Sequence, residues 1–324
     1  MNETIELLKS HRSIRKFKNK KIDKNLLNQI LSAGQAAASS SFLQGFSIIR
    51  ITDKEKREKF SVLANNQNFI NEAAEFLVFC ADLKRSSMCC ELHNAQATEG
   101  FTEQFIITTV DAALAAQNVV VAAESAGLGI CYVGAIRNNP QTATDLLNLP
   151  KNVYPVFGLC LGYPNQNPEV KPRLPLSLIL KENSYTTEND IEIIKEYDLK
   201  MKEYYKKRTD NKKASTWSEQ MSGLLGREVR VFMRDFLKNQ FGEKCYMSCG
   251  FVGNQSANSF SELFSITAEI IIAPPTNTLI GGTSLRKSQT QTGAKIVSNN
   301  INKPTVTAGV VLEPIVTHIK PNAN

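Results

Sequence analysis

Apolar positions change period several times along the chain, and each change marks an element. Ile5, Leu7 and Leu8 have helical spacing within residues 4–10, with Asn2 or Thr4 as cap. Leu26, Leu27, Ile30 and Leu31 form a second helical stripe between Ile22 and Gly34; Asp23 caps it and Gly34 stops it. Residues 46–52 (FSIIRIT) read as a strand, after which Asp53 caps a charged helix over 54–63. The run 76–82 (FLVFCAD) is short and nearly all apolar, as a buried strand requires. Residues 84–100 are polar and give no clear element. The longest helical pattern, 105–127, is apolar on nearly every side, with Ala112, Ala115, Ala116 and Ala123 interleaved with Leu114, Val119 and Val120. It predicts a core helix, the spine of a domain or of a dimer interface, whose small residues admit close neighbours. A short strand from Ile130 leads into a loop at Gly134; a helix over 142–149 is closed by Pro150; a strand follows over 154–162. A charged helix over 191–208 and an amphipathic helix over 219–238 complete the periodic part.

Composition narrows the classes. A chain of 324 residues, 42% hydrophobic and 21% charged, is globular and long enough for one or two domains. The net charge of +7 suits a small anionic ligand, and with no long basic run or base-reading motif no nucleic-acid partner is expected. The polar N-terminus predicts no signal peptide, and no run of about 18 apolar residues predicts a membrane span. Seven cysteines without a CxxC pair, and only three histidines, point to free thiols in a reducing cytoplasm rather than to a disulfide framework or a metal centre.

The candidate chemistry starts at His11-Arg12-Ser13-Ile14-Arg15, where two guanidinium groups, an imidazole and a hydroxyl crowd directly behind a short helix. Donors at this density suit a phosphate, although a solvated basic surface has the same composition. A second basic pair, Lys171 and Arg173, is stiffened by Pro172 and Pro175, and both clusters are expected on one phosphate. Ser39, Ser40 and Ser41 suit a loop that hydrogen-bonds a polar ring edge, or a plain Ser-rich turn. Gly134 lets backbone approach a flat ligand, but no third glycine completes a dinucleotide fingerprint. His93 reads as a surface residue.

Taken together, HRSIRKF, SSSFLQ, SIIRITDK, AAEFLVFCAD, DAALAAQN, AAESAGLG, RNNP, FGLCLGYP, NPEVKPRLP, ENSY and TWS, in this order and over residues 1 to about 240, resemble the nitroreductase superfamily. The likeness is greatest to type A oxygen-insensitive NADPH nitroreductases and the NADPH–flavin oxidoreductases of luminous bacteria. It implies an α+β, nitroreductase-like fold, a mixed, mainly antiparallel sheet surrounded by helices, in a domain-sharing homodimer with FMN at the interface. The implied activity is NADPH-dependent two-electron reduction of nitroaromatics, nitrofurans, quinones and free flavin, in ping-pong order, with no catalytic side chain because the chemistry lies at flavin N5. The resemblance assigns His11, Arg12, Ser13, Lys171 and Arg173 to the FMN phosphate, Arg15 to the pyrimidine edge, and Gln67, Tyr132, Gly134 and Ala135 to the ring. Ser39, Ser40 and Ser41 become the partner chain's serine loop; Arg208 reads the 2′-phosphate of NADPH; Ser41, Phe42, Arg227 and Arg230 flank the acceptor. Ala135 departs from a second glycine in the pattern, which is harmless if its φ is negative. The resemblance implies a domain over 1–241 and leaves 242–324 as an unrecognised Ser/Thr/Asn-rich extension with β-prone runs at 266–273 and 305–312. That extension reads as a small β module, a disordered tail, or the product of a frameshift or fusion. The alternative function is a flavin-binding sensor or storage protein without turnover.

Overall fold

The computed structural model describes residues 2–242 apart from 210, 211 and 213. The C-terminal extension lies outside the described residues. All described residues fall in one compact unit. The helices are α1 (Glu3–Lys9), α2 (Lys24–Gln35), α3 (Lys54–Leu63), α4 (Phe69–Glu72), α5 (Lys84–Leu92), α6 (Thr102–Ser125), α7 (Pro140–Leu147), α8 (Leu176–Ile179), α9 (Asp190–Arg208), α10 (Trp217–Leu225) and α11 (Met233–Phe241). The strands are β1 (Phe46–Arg50), β2 (Glu75–Asp82), β3 (Gly129–Val133) and β4 (Val153–Gly162), in the order β1-β2-β4-β3 with every pairing antiparallel. Among the described residues a parallel element enters only as the bridge between Ser13 and Ile130, on the β3 edge.

Apart from Glu75 and Asp82 at the two ends of β2, the central strands are nearly all apolar because both faces of the sheet are covered. On β2 and β4, Phe76, Val78, Cys80 and Cys160 point into a core with Phe60 of α3 and Ile70 of α4, while Leu77, Phe79, Leu159 and Leu161 pack on the other face against Leu27, Ile30, Ala115, Ala116 and Val119 of α2 and α6. Gly34 does not stop α2; the helix runs on to Gln35. A Cβ on Gly34 would lie 2.5 Å from Val119 Cγ2 and 3.1 Å from the Ala115 carbonyl, so the glycine is what lets α2 and α6 touch. Helix α6 is long and apolar enough, by length and composition, to cross a membrane, contrary to the expectation of no such stretch. Here it carries the buried carboxylate of Asp111 and is the core helix, buried along Ala112, Ala115, Ala116, Val119, Val120 and Ala123.

Two further expectations are corrected. The polar stretch 84–100 contains α5, with His93 exposed at its C-cap. The single helix expected over 219–238 is two, α10 and α11, because the chain turns after Gly226 and Arg230 adopts φ +54°. Arg227 and Arg230 therefore sit on a connecting segment. Five described cysteines (Cys80, Cys89, Cys90, Cys131 and Cys160) are free thiols. Burial pushes the thiols of Cys80, Cys131 and Cys160 up, so they stay protonated and inert.

Candidate functional site

The segment that follows α1 is fastened to the edge of the sheet. Ile14 donates its N–H to the Ile130 carbonyl at 2.8 Å, Lys18 donates to Tyr163 O, and Asn165 returns an N–H to Lys16 O. Ile14 and Phe17 are buried, and Gly129 and Gly162 make room for them, since a Cβ on either would lie 2.6 Å and 2.8 Å from those side chains. Ile14 and Phe17 thus anchor the segment inward, leaving His11, Arg12 and Ser13 half-buried and Arg15 exposed. His11 Nδ1 lies 2.7 Å from Glu124 Oε1 of α6. That carboxylate places the ring proton on Nδ1, and Nε2 has no partner among the described residues. Arg12 makes no hydrogen bond or ion pair among them either. A guanidinium without a partner among the described residues, a hydroxyl and an oriented imidazole on anchored backbone are a donor set of the kind that suits a compact anion. The charge of Arg15 reaches β3, where it opposes the burial that raises the Cys131 thiol.

Beside it, β3 ends in a single 3₁₀ turn, Gly134–Asn138. Ala135 is not among the residues with positive φ, so alanine is unstrained there. A Cβ on Gly134 would meet only the Arg137 guanidinium, at 3.4 Å, so packing within the protein does not itself demand glycine. Tyr132 packs edge-on to Phe157 and is pushed up to about 12 by burial and by Glu124. Asn138 ties this turn to its surroundings, accepting from Arg230 Nη2 at 2.9 Å and donating to Asn65 Oδ1 at 3.2 Å. One amide so gathers the 134–138 turn, the turn holding Gln67, and the segment holding Arg230.

The serine loop packs on the N-terminal half of α6, at Asp111 and Thr108. Ser41, Phe42 and Gln44 all have positive φ, a conformation that costs non-glycine residues on the order of 1 kcal/mol each. The loop is held by Asp111, which accepts from Ser39 Oγ at 2.7 Å, Ser40 N at 3.1 Å and Gly45 N at 3.0 Å. Phe42 stands 82% exposed.

Lys171 and Arg173 line a cavity of about 330 Å³ with Pro172, Leu174, Ile179, Tyr197 and Trp217; none of His11–Arg15 lines it. Tyr197 donates its hydroxyl to Pro172 O at 2.8 Å, and Lys171 Nζ sits over the Tyr205 ring at 5.3 Å. At the end of α9, Lys207 pairs with Glu169 at 2.5 Å, Lys206 with Glu203 at 3.8 Å, and Arg208 donates to the Tyr204 hydroxyl at 3.2 Å. Arg227 is exposed. No group of three or more His, Cys, Asp or Glu among the described residues could hold a metal ion. Sequence reasoning missed Asp111, Glu124 and Asn138. Asp111 and Glu124 are acids in a largely apolar helix, and that was the available signal.

Residues 8–163 match the nitroreductase family, and 171–242 match the nitroreductase family C-terminal domain. The chain is 45% identical over 240 residues to the NADPH-flavin oxidoreductase of Vibrio harveyi, covering 74% of this chain and 98% of that one. It is equally similar, 45% over 240 residues with the same coverage, to the oxygen-insensitive NADPH nitroreductase of Salmonella typhimurium. The solved structure of the NADPH:FMN oxidoreductase from Vibrio harveyi complexed with NAD+ superimposes with a TM-score of 0.68 at 43% identity, over 74% of this chain and 98% of that one.

Proposed function

The chain belongs to the nitroreductase family, and we propose that it is an FMN-containing homodimeric reductase that passes electron pairs from NADPH to nitroaromatics, nitrofurans, quinones and free flavin. NADPH-dependent oxidoreduction with FMN is the activity its relatives' names carry. The observation that carries the reading is the unpaired Arg12 guanidinium beside the Glu124-oriented His11, held on the edge of β3.

The residues present fit FMN. His11, Arg12 and Ser13 would hold its phosphate, joined by Lys171 and Arg173. Arg15 would face the pyrimidine edge, where a cation favours the negative charge of the reduced ring. Gly134 leaves the cradle for the ring plane, and Tyr132, Ala135 and Gln67 would border it. When bound, the flavin would supply two-electron transfer from NADPH to an acceptor. The protein's part is to bind, orient and polarise. Ser39, Ser40 and Ser41 of a second copy would close the ring edge, with Ser41, Phe42, Arg227 and Arg230 bordering the acceptor and Arg208 meeting the NADPH 2′-phosphate. Dimerisation would cover the exposed apolar stripe Ile106, Val110 and Leu114 on α6. The free thiols suit a cytoplasmic setting. We also assign 1–241 as the catalytic domain and 242–324 as an appended segment.

An anaerobic spectral titration tests this. The purified protein is expected to show flavin absorbance that bleaches with NADPH and returns on adding nitrofurazone. Bound flavin that NADPH leaves oxidised would instead identify a binder without turnover.

A further inference from the structure

We propose that Asp111 is a positioning residue for the flavin-facing loop: it holds Ser40, Ser41 and Phe42 in their binding conformation without touching ligand. The proposal rests on the reading above, in which this loop borders the flavin and the acceptor. Asp111 is 1% exposed, on the core helix α6. Its two oxygens are spent entirely on the loop. Oδ2 accepts from Ser39 Oγ and Gly45 N, and Oδ1 accepts from Ser40 N. Ser39 Oγ in turn accepts from Gln44 N at 2.6 Å. Both ends of the loop, 39–40 and 44–45, thus close on one carboxylate. Gly45 allows it: a Cβ there would lie 2.6 Å from Thr108 Cγ2 and lift the loop off the helix.

What this anchoring fixes is not core. Ser40, Ser41 and Phe42 are exposed, and Ser41, Phe42 and Gln44 sit in the left-handed region. An exposed loop kept in that conformation is preorganised for something other than burial within its own chain. The charge type matters too. All three donors need an acceptor, and an amide offers one oxygen. In Asp111→Asn the Nδ2 group must face either the Gly45 and Ser39 donors or the Ser40 N–H, so at least one donor loses its partner and meets another donor.

The test compares Asp111→Asn and Ser39→Ala with the unaltered full chain. The readouts are FMN dissociation constant, thermal midpoint, and the split between KM and kcat for nitrofurazone. Asp111→Asn is expected to weaken FMN binding about tenfold and to raise the acceptor KM more than it lowers kcat. Ser39→Ala, which keeps the carboxylate and two backbone donors, is expected to shift both in the same direction by less. Should Asp111→Asn not fold, Asp111→Glu decides: it keeps the charge, displaces both oxygens and touches no residue assigned to the ring edge, and it is expected to weaken FMN binding and raise the acceptor KM in the same direction. A lowered thermal midpoint with FMN affinity and acceptor KM unchanged makes Asp111 a stability residue and overturns the proposal. Arg12→Ala separates this from the parent reading: if it loses FMN while the Asp111 and Ser39 variants retain it, the positioning role fails and the flavin site stands; if all three retain FMN, both fail.

Discussion

Two basic segments of this protein look alike in sequence and are built differently. His11–Arg15 is fixed by backbone bonds to β3 and Tyr163, by buried Ile14 and Phe17, and by Glu124, and its Arg12 has no partner among the described residues. Lys206–Arg208 ends α9, and there Lys206 and Lys207 are already paired with Glu203 and Glu169. The first holds a charge without a partner among the described residues on anchored backbone, which is the arrangement the proposed phosphate site requires. The second satisfies its charges locally, which is the habit of a solvated face. Arg208 alone stands apart there, placed 5.9 Å over the Tyr204 ring and hydrogen-bonded to its hydroxyl. Density of charge in sequence is therefore a poor guide; anchoring without neutralisation is a better one.

Substitution separates the two segments. The largest effect is expected from Arg12→Ala, which should weaken FMN binding roughly tenfold to a hundredfold, read by flavin fluorescence on reconstitution. Arg208→Ala should raise the KM for NADPH about tenfold while moving that for NADH less than about twofold, since only NADPH carries the 2′-phosphate. Equal effects on both coenzymes would remove the 2′-phosphate role. The smallest effect belongs to Lys207→Ala, whose exposed ion pair should leave both KM values within about twofold. A Lys207 effect as large as that of Arg208 would make the whole segment a binding surface and erase the contrast.

The strands, the core helix and the blocks that carried the family resemblance were legible in sequence because they repeat a short-range pattern. Ile30, Ala115 and Val119 are apolar at helical spacing, and β2 between its end acids and β4 are nearly all apolar. What escaped depends on contacts between elements. Gly34 looks like a helix stop and is a contact surface for Val119. The break at 226–232 hides in an amphipathic pattern that continues across it; it shows only in the positive φ of Arg230 and its bond to Asn138. Helix α5 has too weak a stripe to announce itself, with only Ser87 buried. The anion segment was legible as composition, but its credentials come from Glu124, more than a hundred positions away. Asp111 was visible as one acid in an apolar helix, and its purpose required knowing that residues 39–45 fold back onto it.

The central claim is that the N-terminal segment is a phosphate site for a flavin. Binding of FMN and of riboflavin to the flavin-stripped protein tests it most directly, because the two ligands differ by the phosphate alone. The account predicts FMN binding at least about tenfold tighter, with the advantage shrinking as salt rises. Equal affinity for FMN and riboflavin would contradict it.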